Sequence, residues 1–236
     1  MAIAGDNIEA CNANWKFNGK VVDEFDRHIS KSVPLYKEGH DLVVKLSDYF
    51  ISDGSLCYEI GSSTAELTIK LAQHNKNKDA KFIGLEIEND MHQKALKKVE
   101  FIDNIELYNE DILTYELQNS DFIVSYYTIQ FIKPSIRQEI FNKIYNSLNW
   151  GGAFVLFEKV RANDARFQDI MTGLYTDFKL DNGYTPDEIV AKSRSLKGVL
   201  EPFSTAGNID MLKRAGFKDI ISVMKYVSFE GFLAIK

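Results

Sequence analysis

The chain has 236 residues, of which 45% are hydrophobic and 26% charged, and its formal net charge is −6. This composition is ordinary for a globular protein and excludes disordered and disulfide-scaffold classes. Because the basic residues are dispersed along an acidic chain, nucleic acid is not expected as a partner. No apolar run approaches membrane-spanning length, and the two cysteines lie far apart in the sequence, which favours free thiols in the cytoplasm.

The first fifth of the chain precedes any strand pattern. Residues 1–19 show no periodicity and are expected to form a mobile leader in which no signal peptide is readable. Apolar residues at helical spacing predict a helix over 21–33, which ends before Pro34, and a second helix over 38–49. We expect these N-terminal helices, within 20–50, to cover one end of the sheet that follows.

Strand and helix patterns alternate through the middle of the chain. Helices are predicted at 64–74, 89–100 and 135–148, between strands at 55–60, 81–86, 105–109, 121–126 and 153–159. Such alternation predicts parallel strands joined by right-handed crossovers.

The alternation stops after Glu158. Residues 161–200 are predicted to be a helical insertion with a break at 182–186. A helix over 205–215 precedes two strands, 219–227 and 229–235, which are joined too tightly for a helix and so must pair antiparallel. We therefore expect one α/β domain over 1–236, with the N-terminal helices and the insertion acting as one lid.

Acidic residues end two neighbouring strands of this predicted sheet. Glu59 comes at the end of the first strand, before a tight turn that contains Gly61 and Ser62, and Glu86 ends the second strand. Two carboxylates at the ends of adjacent parallel strands are what a protein needs to hold an adenosine-containing cofactor across the edge of its sheet.

The whole pattern resembles the class I methyltransferase fold, a Rossmann-like seven-stranded sheet with an antiparallel C-terminal hairpin that binds S-adenosyl-L-methionine. Within that class the chain is similar to carboxy-S-adenosylmethionine synthase, a subfamily that makes a carboxylated cofactor for tRNA wobble-uridine modification. The segments that carry this likeness are 32–36, 128–131, 177–179, 182–184 and 213–217.

The resemblance implies roles for the first turn. Glu59 would accept a hydrogen bond from the ammonium group of the cofactor, and Gly61 would let the backbone approach the methionine moiety without a clashing Cβ atom. Ser62 would contribute to the same cradle. The plain alternative is a strand-to-helix turn with Ser62, Ser63 or Thr64 as the N-cap of the helix that follows.

It also implies a nucleoside-binding edge. Glu86 would hold both ribose hydroxyls with its two carboxylate oxygens, and Ile87 would pack on the face of the adenine. Asp111 and Ile112, which follow the third predicted strand, would meet the adenine amino group and ring. A solvated acid at a strand end and a turn-capping Asp111 are the alternatives.

Three side chains are candidates for the methionine carboxylate or the acceptor, because a carboxylate prefers donors and a sulfonium prefers electron-rich faces. They are Tyr36, Tyr126 and Arg194, and lid packing is an equal alternative for each. His28 could remove a proton from the acceptor, although a surface position is the commoner one for a histidine of this kind. The candidate catalytic residues are thus Tyr36, His28 and Tyr126, and no spacing predicts a metal site.

The chain departs from the family pattern where that family handles its carboxylate. The family's Lys-Arg pair, whose arginine clamps the extra carboxylate, aligns with Lys192 and Ser193, and Arg194 lies one position along, about 100° around a helix. The family's asparagine late in the fourth strand is replaced by Tyr126, and its first turn keeps only one glycine, Gly61.

We therefore expect a methyltransferase that uses S-adenosyl-L-methionine and aligns a small-molecule acceptor in line with the methyl–sulfur bond. The first alternative is the synthase itself, transferring a carboxyl group from prephenate, with Arg194 brought into place by a register slip. A second alternative is a cofactor-binding partner subunit without activity. Because the resembled family is dimeric, a homodimer is expected.

Overall fold

The computed structural model describes residues 2–6 and 8–236, and its N-terminal segment is packed onto the rest of the chain. Strands β1 (Ala2–Ile3) and β2 (Glu9–Ala10) pair antiparallel. Ile8 and Trp15 are 1% and 8% exposed and form a hydrophobic cluster with residues of the helices described below. The expectation of a mobile leader is therefore wrong: this segment buries its few apolar residues against helices that are distant in sequence, which local periodicity cannot reveal.

Two helices follow this segment, as predicted. Helix α1 (Lys20–Ser32) and helix α2 (Tyr36–Ser47) are separated by Val33, Pro34 and Leu35. Proline lacks the N–H that would continue α1, and Leu35 adopts a left-handed conformation, with φ of +54°, that turns the chain into α2. Helix α2 thereby packs on one face of the main sheet, where Val43 joins the hydrophobic core.

The predicted alternation of strands and helices is present. In chain order the elements are β3 (Leu56–Ile60), α3 (Glu66–His74), β4 (Lys81–Leu85), α4 (Asn89–Val99), β5 (Ile105–Tyr108), β6 (Ser120–Tyr126), α5 (Arg137–Ser147) and β7 (Leu148–Lys159). Strand β7 begins at Leu148 rather than at residue 153, because Leu148 already pairs with Ser120 of β6.

The remaining elements are helices α6 (Ala165–Asp181), α7 (Pro186–Ser195) and α8 (Thr205–Ala215), followed by strands β8 (Asp219–Tyr226) and β9 (Phe229–Ile235). Helix α7 begins with a capping box in which Thr185 and Glu188 satisfy each other's backbone N–H groups. The insertion thus ends its helical part at Ser195, a few residues before the predicted boundary.

The main sheet has the strand order β5-β4-β3-β6-β7-β9-β8. Strands β3 to β7 pair parallel, whereas β9 pairs antiparallel with both β7 and β8. The predicted seven-stranded sheet with an antiparallel C-terminal hairpin is confirmed. The strand order reverses at β3 and β6, which leaves a crevice at their carboxyl ends.

Alternate residues of the central strands fill two separate hydrophobic cores. Phe82 and Phe122 point to the face covered by α2, α3 and α4, and Ile83 and Ile123 point to the face covered by α5 and α8. Side chains alternate in this way because successive residues of a strand face opposite sides of the sheet. Within the described part of the chain, no helix has the length and apolarity needed to span a membrane.

Candidate functional site

A cleft of about 1090 Å³ lies over the carboxyl ends of β3, β4, β6 and β7. Its floor is the sheet edge and the turn after β3, and its walls are the N-terminal segment, α1, α2, α6 and α7. Ten of the eleven site residues predicted from the sequence line it, and the eleventh, Arg194, does not. The ten are His28, Tyr36, Glu59, Gly61, Ser62, Glu86, Ile87, Asp111, Ile112 and Tyr126.

The turn after β3 needs a glycine. Gly61 has a φ of +73°, and a Cβ atom there would lie 2.3 Å from the side chain of Thr128. The backbone N–H groups of Gly61 and Ser62 both donate to the Leu85 carbonyl oxygen, at 2.8 and 2.9 Å, so the turn is fixed against the end of β4. Ala65 stands where the family pattern has its second glycine, and it too adopts a left-handed conformation, with φ of +62°.

Glu86 is held in place by this turn. It is 8% exposed, and its two carboxylate oxygens accept hydrogen bonds from the backbone N–H groups of Ser63 and Glu88, each at 2.8 Å. Burial raises the pKa of Glu86, and the two N–H donors oppose that shift. Each oxygen keeps a further lone pair, so the carboxylate can accept two more hydrogen bonds from a ligand.

Glu59 lies on the neighbouring strand and is more deeply buried. It is 5% exposed and accepts a short hydrogen bond from the Thr68 hydroxyl group. Burial raises its pKa to about 8, and the negative charge of Glu86 adds to the shift. At neutral pH the free protein therefore holds Glu59 largely protonated, and a cation bound beside it would favour the ionised form.

Ser62 supplies a second sign that the cradle fits a ligand. Its hydroxyl group is buried and has no hydrogen-bond partner among the described residues. It packs over Gly84, where a Cβ atom would approach it to 2.8 Å. An unpaired buried hydroxyl is costly, and a polar ligand in the cleft would satisfy it.

The residues expected beside the adenine line the same end of the cleft. Ile112 is buried, and Ile87 is 61% exposed at the mouth. Asp111 also caps a turn, because its Oδ1 atom accepts from the Leu113 N–H at 2.9 Å. The capping role weighed for Asp111 is thus present together with its position in the cleft.

The two candidate tyrosines differ. Tyr126 donates its hydroxyl hydrogen to the Tyr36 carbonyl oxygen at 2.7 Å, and its ring packs 4.7 Å from the ring of Phe157, so it ties α2 to β6. The ring of Tyr36 lines the cleft, and burial close to Glu59 raises the pKa of its hydroxyl group. Tyr36 therefore keeps a group that can face a ligand, whereas the Tyr126 hydroxyl is already engaged.

His28 does not have the surroundings of a general base. It is 2% exposed, its Nδ1–H donates to Asp6 at 3.0 Å, and its Nε2 atom lies in short contact with the Lys192 ammonium group. Burial and the nearby lysine lower its pKa to about 3. The lone pair that a base would use is occupied by Lys192, and the expected surface position of this histidine is also wrong.

Arg194 lies outside the cleft. Its side chain is exposed on α7, while Lys192 and Ser193 of the same helix line the cavity. The register of the helix is the one that the sequence gives without a slip, so the guanidinium points about 100° away from the cleft-facing row. The basic residue of α7 that lines the cleft is Lys192.

Sequence reasoning missed two groups of cleft residues. Lys159 and Lys179 line the cavity from the end of β7 and from α6, and Trp15 and Phe17 line it from the N-terminal segment. Lys159 could have been found, because it directly follows an apolar strand at the sheet edge where ligands bind. Nothing local distinguishes Lys179 from the other lysines of the chain.

The protein has the class I methyltransferase fold. This follows from the sheet order, the glycine turn and the buried acids at adjacent strand ends. A family model described as a methyltransferase domain matches residues 58–152. The fold is shared with an S-adenosylmethionine-dependent methyltransferase from Aquifex aeolicus, at a TM-score of 0.61 and 14% identity over 93% of this chain and 99% of that one. Human N-acetylserotonin methyltransferase, solved with S-adenosylmethionine, has a TM-score of 0.62 at 15% identity, covering 92% of this chain and 55% of that one.

Much closer sequence similarity links the chain to one group within this class. The carboxy-S-adenosyl-L-methionine synthase of Staphylococcus epidermidis is 38% identical over 94% of this chain and 97% of its own length. The enzyme of that name from Sulfurimonas denitrificans is also 38% identical, over 97% of both chains. The chain belongs to the carboxy-S-adenosyl-L-methionine synthase family, which confirms the resemblance.

Proposed function

We propose that the cleft binds S-adenosyl-L-methionine and that the protein acts on it as a carboxy-S-adenosyl-L-methionine synthase, with prephenate as the carboxyl donor. The observation that carries the proposal is the pair of buried carboxylates, Glu59 and Glu86, at neighbouring strand ends in one cleft. Full-length similarity to relatives that bear the synthase name supports this activity over methyl transfer.

The acidic end of the cleft suits the cofactor. Glu86 would accept hydrogen bonds from the two ribose hydroxyls, and Glu59 would pair with the ammonium group of the methionine moiety. Gly61 lets the backbone lie against that moiety, and Ser62 would give it the hydroxyl that the protein leaves unpaired. Asp111, Ile112 and Ile87 would surround the adenine.

The sulfonium acidifies the methyl group bound to it, which is the chemistry the cofactor brings. Carboxyl transfer would require the methyl carbon to give up one proton and to bond to the carboxyl carbon. The donor fragment would keep the electron pair of the bond that breaks and would take up that proton. The chain's part is to hold the two molecules in contact and exclude water. The Tyr36 ring, at the cleft wall beside Glu59, would pack against the sulfonium.

Product mass tests the proposal. The protein is incubated with S-adenosyl-L-methionine and prephenate, and the cofactor is weighed by mass spectrometry; we expect a gain of one carboxyl group, and none when prephenate is left out. A protein that binds the cofactor in calorimetry but gives no carboxylated product would overturn the synthase activity and leave cofactor binding intact.

Methyl transfer to a small molecule is the second candidate. It is favoured by Ser193, a short neutral side chain in the cleft at the position that aligns with the family's arginine, and by Arg194 lying outside. Release of S-adenosylhomocysteine together with a methylated member of an acceptor panel would support it. Binding without either product would instead favour a cofactor-binding partner subunit.

We also propose that the protein is a cytoplasmic homodimer. Helix α6 carries Phe167, Ile170 and Leu174 with 56%, 50% and 51% of their surface exposed, a row of large apolar side chains that a second copy would cover. Light scattering on the purified protein and on a Leu174→Glu variant tests this: a monomeric parent would contradict it. Cell fractionation tests the location.

A further inference from the structure

Three lysines occupy the end of the cleft opposite Glu86. Lys159 comes from the end of β7, Lys179 from α6 and Lys192 from α7, and all three line the cavity. Lys179 and Lys192 are only 6% and 8% exposed. Burying several like charges in one place is unfavourable unless an anion joins them.

Lys159 and Lys179 have an aromatic ring in place of a carboxylate. Their Nζ atoms each lie 4.4 Å from the centre of the Tyr175 ring, and Tyr175 is fixed because its hydroxyl donates to the Ser32 carbonyl oxygen at 2.8 Å. Among residues 2–6 and 8–236, no Asp or Glu side chain forms an ion pair with either lysine. The cation–π contacts offset only part of the cost of burying the two charges.

Lys192 has polar contacts that the other two lysines lack, but it still lines the cavity. Its ammonium group donates to the Ser32 hydroxyl at 3.1 Å and contacts His28 Nε2, and it lies 4.8 Å from the centre of the Trp15 ring. Through His28 it is linked to the carboxylate of Asp6. This arrangement orients Lys192 without a direct contact to the carboxylate, because the imidazole of His28 lies between Lys192 and Asp6.

We propose that Lys159, Lys179 and Lys192 form an anion subsite that receives the carboxylate groups of the co-substrate. The inference rests on the proposed function and assigns its second binding site to particular residues. Positive charge from α6, α7 and β7 would thereby do what Arg194 cannot do from outside the cleft.

The side chains beside the lysines indicate which kind of molecule bears the anionic group. Trp15 lies against His28 with ring centres 5.9 Å apart, and Phe17 packs on Phe131 with centres 5.0 Å apart; Trp15, Phe17 and Phe131 all line the cleft. An aromatic wall next to three ammonium groups fits a small ring-bearing carboxylate better than an inorganic anion.

The lysines of the subsite can take up protons when an anion binds. Burial and the nearby Arg161 lower the pKa of Lys159 to about 8, and burial and Lys159 lower that of Lys179 to about 7. Burial, together with Lys179 and Lys159, also lowers the pKa of Lys192. The charged and titratable groups that face these lysines from the surrounding elements are Asp6, His28, Arg161, Tyr175 and Tyr184. A bound carboxylate favours the ammonium forms, so binding above pH 7 should draw protons from solution.

Calorimetry with prephenate tests the subsite, with S-adenosylhomocysteine present so that no turnover occurs. Lys179→Met should weaken prephenate binding about 10- to 100-fold, the loss expected for a charge-assisted hydrogen bond, and should leave affinity for S-adenosylhomocysteine within about twofold. Lys213→Met, at an exposed lysine on α8, is the matched control and should change neither.

A second readout separates a binding role from a structural one. Repeating the titration at pH 8 in buffers of different ionisation enthalpy should show proton uptake by the parent and less uptake by Lys179→Met. Unchanged prephenate affinity in both Lys159→Met and Lys179→Met, or a parent that does not bind prephenate, would overturn the subsite. If the parent does not bind S-adenosylhomocysteine, the proposed function is overturned instead, so the two failures are distinguishable.

Discussion

The two ends of the cleft are built in different ways. At one end Glu59 and Glu86 lie at the ends of adjacent parallel strands, and Thr68 or backbone N–H groups hold their carboxylates in position. At the other end Lys159 and Lys179 lie against one aromatic ring. On the proposed assignments, the ends of the central strands β3 and β4 bind the shared cofactor, whereas the end of β7 and the helices added around the sheet bind its reaction partner.

The pKa shifts at the two ends of the cleft have opposite directions. Burial raises the pKa of Glu59 to about 8 and lowers that of Lys179 to about 7, so each end is partly neutral in the free protein. A cationic ligand restores the charge at the acidic end, and an anionic ligand restores it at the lysine end. Each end therefore favours the ligand whose charge opposes its own.

The largest expected effect comes from removing Glu86, the acid proposed to bind the ribose. Glu86→Ala removes two backbone hydrogen bonds and two more proposed for the ribose hydroxyls, and we expect affinity for S-adenosyl-L-methionine to fall about 100-fold or more. Calorimetry measures the affinity. Glu100→Ala, at an exposed acid just after α4, should have no effect. A Glu86→Ala variant that binds like the parent would remove the basis for the acidic end.

The next largest effect is an opposite dependence on pH at the two ends. A cation bound at Glu59 needs the ionised carboxylate, so cofactor binding releases a proton below the pKa of about 8, and affinity should rise up to about tenfold per pH unit between pH 6 and 7. A carboxylate bound at Lys179 needs the ammonium form, so prephenate affinity should fall as pH rises above about 7.

Titrations of each ligand across pH 6 to 8.5 check both slopes. Two slopes of the same sign would break the comparison between the ends. A Glu59→Gln variant supplies the control, because it should lose the rise in cofactor affinity with pH and keep the fall in prephenate affinity.

A smaller effect is expected from Tyr126, which lies between the two ends of the cleft. Tyr126→Phe removes the hydroxyl that donates to the Tyr36 carbonyl oxygen, and the free energy of unfolding should fall by about 1 kcal/mol. Urea denaturation measures the loss, and Tyr226→Phe, on the edge strand β8, is the control. Should turnover collapse while stability stays unchanged, the hydroxyl of Tyr126 would be catalytic after all.

The sequence predicted the acidic end of the cleft because its signals are local. Apolar strands, a glycine turn and an acid at each strand end occur within a few residues of one another, and parallel pairing then brings Glu59 and Glu86 to one edge. Gly61 was recognisable for the same reason, since a tight turn after a strand needs a positive φ.

At the lysine end, Lys159 has a local signal at the end of β7, but Lys179 and Lys192 could not be predicted to join it, because they meet it only through tertiary packing. A lysine on α6 looks the same in sequence whether it is exposed or buried, and the burial of Lys179 depends on its packing against Tyr175 and on the contact of α6 with α7. His28 was misjudged on the same ground: its partners Asp6 and Lys192 lie 22 residues before it and 164 residues after it.

Arg194 should give the smallest effect of all. It is exposed on α7 and lies outside the cleft, so Arg194→Ala should change the affinities for S-adenosyl-L-methionine and prephenate by less than about twofold, whereas Lys192→Met, two positions earlier, should weaken prephenate binding. Steady-state kinetics would show the same contrast in kcat/KM. A tenfold or larger loss in Arg194→Ala would mean that the Arg194 guanidinium of one subunit enters the cleft of the other subunit. The lysine end would then be completed by the second copy of a homodimer rather than by one chain alone.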